Sequence, residues 1–222
     1  MATKEKTKRK TSAKLSFSKE DLISSYMQMI LESERAPESI YKFCKDINIT
    51  EGQFYEFFGS FETLQKGIWD EFIHQALGVI SKSKEYPAFN KREKLLTFYY
   101  TFFEILTLNR SYILLTLKGP LDIAQLLKLR HTFQDYISAL AELKTDTEEQ
   151  IKHYSSKAVE ELAWAQFLVI LRFWIKDDST KFEKTDVMIE KTINTTFDVV
   201  DTTPINSVID YAKFLFKESI NK

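Results

Sequence analysis

Apolar residues recur along this chain at three- and four-residue intervals, without any sustained alternation of two. A period near 3.6 marks helices with one buried face, so the pattern predicts an all-α protein. A first helix opens after Ser18, with Asp21 completing a [ST]-x-x-[DE] capping box and Leu22, Tyr26, Met29 and Ile30 on its core face. A second covers residues 39–46, with Ile40, Phe43 and Ile47 in one stripe. Asn48 interrupts it; a short amide side chain tolerates left-handed backbone, which predicts a tight turn. Thr50 then caps a short third helix over residues 51–57, stopped by Gly59-Ser60. Ser60 caps a fourth that buries Leu64, Ile68, Phe72 and Leu77.

The second half continues in helices. Tyr86-Pro87 closes the preceding segment, because the residue before a proline is driven out of the right-handed helical region. Asn90 caps a fifth helix dense in rings: Phe98, Tyr99, Tyr100, Phe102 and Phe103. Residues 110–117 read as a short buried helix closed by Gly119-Pro120, residues 121–143 as a seventh, and Thr147 as the cap of an eighth running to about Lys176. Within the eighth, LAWAQFLVILRFWI is apolar on nearly every face, which places it at the centre of a bundle. Gln166 and Arg172 break the run, which is too short to cross a membrane. Asp177-Asp178-Ser179 reads as a loop whose carboxylates face water, and residues 182–200 and 204–220 as two final helices, with Pro204 suited to a first turn.

With 222 residues, 44% of them hydrophobic, the chain has room for one small and one larger core. A net charge of −1 favours neither a nucleic acid nor a membrane for the molecule as a whole. The charge is unevenly placed, however. Residues 1–14 hold six Lys or Arg, Lys8, Arg9 and Lys10 among them, against one Glu, so residues 1–16 read as a disordered basic arm. The absence of an apolar run before residue 20 argues against a secretory signal. The lone Cys44 forms no internal disulfide, suits the cytoplasm, and stands where a small buried residue is wanted.

Two short helices joined by a tight turn form a helix-turn-helix, whose second helix enters a DNA major groove. The order Ile40, Phe43, Ile49, Thr50, Gly52, Phe54, Tyr55, Phe58, Ser60, Leu64 resembles the DNA-binding domain of TetR-type transcriptional repressors over residues 17–66. The resemblance implies a DNA-binding domain at residues 17–66 and a helical ligand-binding and dimerisation body at 67–222, the fourth helix carrying the ligand state between them. It implies a homodimer that binds an operator and is released by a small hydrophobic effector. Candidate DNA contacts are Lys42, Lys45, Thr50, Glu51, Gln53 and Tyr55, with Lys8, Arg9 and Lys10 of the arm. Two departures stand out. Phe61 opens the fourth helix where such repressors usually carry a phosphate-binding Lys, and the third helix has no Lys or Arg at all. Residues 17–66 hold nine acids against five bases, which opposes approach to phosphates.

Nothing in the chain points to catalysis. His74, His131 and His153 lie on separate helices with no metal-ligand spacing, and no Gly-rich phosphate loop or G-x-S-x-G turn occurs, so no cofactor, metal or catalytic residue is expected. The ring-rich helices suggest instead an apolar pocket lined by Phe98, Phe102, Phe103, Tyr112, Leu126, Phe133, Trp164, Phe167 and Leu168, with Gln166 and Arg172 as polar anchors. Arg172, amid apolar neighbours, must reach the surface or pair with an acid; turned inward it would neutralise a ligand carboxylate. The last two helices carry Val187, Ile193, Phe197, Val208, Ile209 and Phe214, more apolar positions than one covering face needs, which predicts the homodimer contact there. Two readings of function stay open: a ligand-responsive repressor, or a lipid or small-molecule binder on the same scaffold without DNA binding. The second rests on residues 173–193, which resemble the TetR-like lipid-binding proteins of ubiquinone biosynthesis.

Overall fold

The computed structural model describes residues 17–117, 123–142 and 156–202. Its elements are α1 (Lys19–Ser33), α2 (Ile40–Asp46), α3 (Glu51–Tyr55), α4 (Phe61–Ile80), α5 (Lys91–Leu108), α6 (Arg110–Thr116), α7 (Ile123–Glu142), α8 (Ser156–Lys176) and α9 (Glu183–Thr202), with 3-10 turns at Tyr86–Ala88 and Thr180–Phe182. The protein is all-α, and no strand occurs among the described residues. The basic arm, Gly119-Pro120, the Thr147 cap and the helix expected over 204–220 lie outside the described residues. Among the described residues no helix is long and apolar enough to cross a membrane. The chain divides into two compact units, Met1–Phe61 and Glu62–Lys222.

In the first unit, α1 starts on the predicted box: the Asp21 N–H donates to Ser18 Oγ, and Asp21 Oδ2 accepts from the Ser18 N–H at 2.9 Å. It ends at Glu34, left-handed at φ 54°, whose N–H bonds the Ile30 carbonyl. Ile23 joins Leu22, Tyr26 and Ile30 in the core, while Met29 is only half-buried, because the buried face is centred one residue nearer the N-terminus than the stripe implied. The centre of this small unit is a set of rings. Phe43 meets Tyr26, Phe54 and Phe61 edge-on at 5.9, 6.1 and 5.7 Å, and Phe61 lies 5.9 Å from Phe54. Edge-to-face geometry sets the positive rim of one ring on the negative face of the next. α3 stops two residues before the expected end, as the N–H groups of Phe57 and Phe58 both turn onto the Phe54 carbonyl.

In the second unit, α4 buries Leu64, Ile68 and Phe72 as the stripe predicts, together with Trp69, Ile73, Ala76 and Ile80. Leu77 is half-buried instead, Ala76 taking the inward position. Asn90 and Glu93 form a reciprocal box at the start of α5. α5 packs on α9, α7 on α8, and α8 on α9. α6 is less buried than expected: Tyr112 and Ile113 point inward, and Leu114 and Leu115 are exposed.

The joint between α8 and α9 corrects the reading of Asp177. Its side chain is buried, while Asp178 faces water. Asp177 Oδ1 accepts from the Ser179 N–H and hydroxyl at 2.9 and 2.7 Å, and Oδ2 accepts from the Thr185 N–H and hydroxyl at 2.9 and 2.6 Å. Burial alone would raise this carboxyl; the hydrogen bonds from Thr185 and Ser179 outweigh it and hold the pKa down at about 2. Lys181 and Phe182 both adopt positive φ, 53° and 60°, a conformation that costs energy for a bulky residue and persists only where its surroundings fix it.

Candidate functional site

The exposed face of the first unit is built around its turn. Ser39 caps α2 through the Lys42 N–H, and α2 closes as Ile49 N–H bonds the Cys44 carbonyl at 2.9 Å. Asn48 takes the left-handed conformation at φ 59° that its residue type predicts. Thr50 then caps α3 in a full box. Its hydroxyl accepts from the Gln53 N–H at 3.3 Å, and Gln53 Oε1 accepts from the Thr50 N–H and hydroxyl at 3.0 and 3.1 Å. A shallow groove of about 460 Å³ runs along the turn, lined by Tyr41, Lys45, Asn48, Thr50, Glu51 and Gln53.

The six candidates on α2 and α3 have unequal freedom to meet a ligand. Lys42 is exposed but paired with Glu38 one turn earlier. Thr50 and the carbonyl end of Gln53 are held by the capping box, and Gln53 is half-buried. Lys45 and Glu51 are exposed. Tyr55 stands against Phe54 at 5.6 Å and is 52% exposed. Lys8, Arg9 and Lys10 lie outside the described residues. Phe61 does not present itself to a ligand: it is half-buried and belongs to the ring cluster. Burial raises the Cys44 thiol above its ordinary value, reinforced by Glu51, so this cysteine is a packing residue. Sequence reasoning missed Tyr41, which at 61% exposure is the most exposed ring on this surface. Its place directly after Ile40, off the buried stripe, was the available signal.

The rings proposed as pocket lining are brought together in the second unit. Phe98 stacks on Phe102 at 5.5 Å and lies 6.0 Å from Phe133. Phe167 sits 5.8 Å from Phe102, 6.0 Å from Phe103, 5.2 Å from Phe133 and 5.4 Å from Trp164. All of these rings are buried, as are Tyr112, Leu126 and Leu168. The Tyr99 hydroxyl donates to the Ala163 carbonyl at 3.0 Å in this interior, and its burial pushes its pKa well up, so it stays a neutral donor.

Arg172 is the first of the two proposed polar anchors. It is half-buried and lines an outward groove of about 460 Å³ with Val169, Phe173, Lys176, Asp178 and Lys184. The arginine that does enter the body is Arg110, which the sequence did not single out. Its guanidinium lies 4.5 Å from the Trp174 ring and 4.7 Å from Phe182, and it donates to the carbonyls of Trp174, Ile175 and Asp177 at 2.8, 3.0 and 3.4 Å. Those carbonyls end α8, so Arg110 caps the helix with a cation where its dipole is negative. Gln166, the other proposed anchor, is buried and donates to Thr196 Oγ1 at 3.1 Å. Of the apolar positions on α9 assigned to a dimer contact, Ile193 is fully buried within the unit and Phe197 is covered by the Arg92 guanidinium at 5.2 Å, whereas Val187 is 47% exposed. Val208, Ile209 and Phe214 lie outside the described residues.

Among the described residues no group of three His, Cys, Asp or Glu side chains is placed to hold a metal. Compared with known families, residues 94–215 match the tetracyclin repressor-like, C-terminal domain, more than half of the 222-residue chain. No curated protein sequence matches the chain.

Proposed function

The chain belongs to the tetracyclin repressor-like family, and on that premise we propose that it is a transcriptional repressor that binds DNA as a dimer and releases it when a small hydrophobic effector enters the second unit. The observation that carries this reading is the α2–turn–α3 geometry, with Asn48 left-handed, Thr50 capping α3, and Tyr41, Lys45 and Tyr55 exposed. Tyrosine hydroxyls and amide N–H groups are donors for phosphates and base edges alike. The effector site is the ring interior of α5, α7 and α8, an apolar lining with few polar groups. Dimer contact falls on the outer face of α8 and α9, where Val169, Phe173 and Val187 are exposed, continued by the helix expected over residues 204–220.

Because α3 carries no cation and Lys42 is already paired, phosphate attraction falls mainly to the arm and Lys45. Anisotropy with specific and random DNA at two salt concentrations tests this. Deleting residues 1–14 is expected to weaken binding to both and to flatten the slope of log K against log salt by about 0.9 for each phosphate that the arm neutralises. Tyr55→Ala is expected to reduce the preference for the specific sequence. A full-length chain that binds no DNA, including the DNA flanking its own gene, overturns the repressor reading. The second reading, a small-molecule binder without DNA binding, draws on one observation: Phe61 lies in the ring cluster, so no cation opens α4.

A further inference from the structure

We infer that Glu51 selects a cytosine in the DNA that this chain recognises: its carboxylate accepts from the cytosine N4 amino group in the major groove, so the bound site holds a C·G pair at that position. The inference rests on the reading of α2–turn–α3 as a DNA-binding unit and names what that unit selects.

In a helix-turn-helix the residues at the start of the second helix meet the base edges, while the first helix crosses the backbone. The start of α3 offers few side chains for that task. Thr50 is the cap, and its hydroxyl accepts from the Gln53 N–H. Gln53 returns its carbonyl to the Thr50 N–H and hydroxyl and is half-buried. Gly52 has no side chain, and Phe54 is buried. Glu51 remains. It is exposed, lines the groove along the turn, and enters no hydrogen bond or ion pair among the described residues. Tyr55, also exposed, follows one helical turn later, so the two share a face. Tyr41 and Lys45, one turn apart on α2, line the same groove and supply donors for the phosphates that flank the bases.

Donor and acceptor chemistry then picks the base. A carboxylate offers acceptors and no donor. Guanine N7 and O6 and thymine O4 are acceptors on the major-groove edge and repel it. Adenine sets its N7 acceptor beside its amino group, whereas cytosine presents the N4 amino group without one. An acid here also opposes the approach of phosphates in any sequence. It therefore weakens binding everywhere and is compensated only where a cytosine amino group meets it, which makes it a discriminator.

The test uses the full-length natural chain, Glu51→Gln and Glu51→Ala, each selecting duplexes from one randomised pool, with the selected sites then measured by anisotropy. The sites of the natural chain are expected to share a C·G pair that becomes A·T in the sites of Glu51→Gln, because glutamine pairs with adenine N6 and N7. Glu51→Ala is expected to keep the rest of the site and lose the preference at that pair. Changing the C·G pair to T·A is expected to weaken the natural chain about tenfold and to leave Glu51→Ala unchanged. If both variants select the same site as the natural chain and bind every sequence more tightly, Glu51 is only a solvated acid at a helix start, which overturns the inference and keeps the repressor reading. A change at a pair other than C·G overturns the cytosine assignment. If the natural chain selects no sequence at all, the repressor reading falls, and this inference with it.

Discussion

The two units use their polar side chains in opposite ways. In Met1–Phe61 the hydrogen bonds that shape the backbone are local: Ser18 with Asp21, Ser39 with Lys42, and Thr50 with Gln53, each three residues apart. In Glu62–Lys222 the decisive ones are remote. Tyr99 reaches Ala163, 64 residues on; Arg110 reaches Trp174, also 64 on; and Trp174 Nε1 donates to Thr107, 67 residues back. Local bonds fix where helices begin, and leave the outer face of a small domain available to a partner. Remote bonds fix how helices sit on one another, so breaking one disturbs the packing of the whole body. Both units rest on rings, and in the second Arg110 brings a guanidinium in among them.

The sharpest way to break this contrast is at Arg110. Arg110→Ala removes three bonds to the end of α8 and the stack between Trp174 and Phe182. It is expected to cost about 3–4 kcal/mol in urea unfolding. Arg172→Ala, on the outward groove, is expected to change stability by about 0.5–1 kcal/mol. Similar losses from the two would mean that the remote clamp is not special.

Asp177→Ala removes a buried carboxylate and the four bonds it accepts, and is expected to cost about 2–3 kcal/mol. The folded pKa, about 2, lies below the ordinary carboxylate value of 3.8. Its contribution is therefore complete above that ordinary value and disappears as pH falls through about 2. Unfolding measured across this window should show a shallower acid loss in Asp177→Ala than in the natural protein; parallel curves would remove Asp177 from the account of the joint.

Phe61→Lys sharpens the comparison from the other side. It installs a cation at the start of α4 but takes a ring away from Tyr26, Phe43 and Phe54. A loss of about 2 kcal/mol is expected, observed as a lower Tm. An unchanged Tm with tighter DNA binding would show that Phe61 is dispensable to the core. The smallest effects belong to the turn. Thr50→Ala is expected to cost about 1 kcal/mol through the missing cap. Asn48→Ala is expected to cost a similar amount at φ 59°, whereas Asn48→Gly should change stability by only a few tenths of a kcal/mol. Chemical denaturation of the three variants, compared with one another, checks that order.

What the sequence determined by itself was local. Ser18, Thr50 and Asn90 could be assigned as caps because each satisfies an N–H only three residues away, and Asn48 as the left-handed turn because its preference is its own. The all-helical class followed from the 3.6-residue period, and gathering Phe98, Phe102, Phe103, Phe133, Trp164 and Phe167 into one interior followed from ring density on helices that had to bury them. The tertiary structure decided the fate of groups whose partners are distant. Arg110 and Arg172 both sit beside apolar runs, yet one is clamped among rings and the other lines an open groove. Asp177 and Asp178 are neighbours, and only Asp177 is turned inward, because Thr185 arrives beside it from α9. Phe61 occupies a position that the family pattern gives to a surface cation, and the ring cluster draws it inside. A charge or ring near the edge of a helix has several low-energy directions open to it, and the partner that selects one comes from another part of the chain, beyond the reach of local sequence pattern.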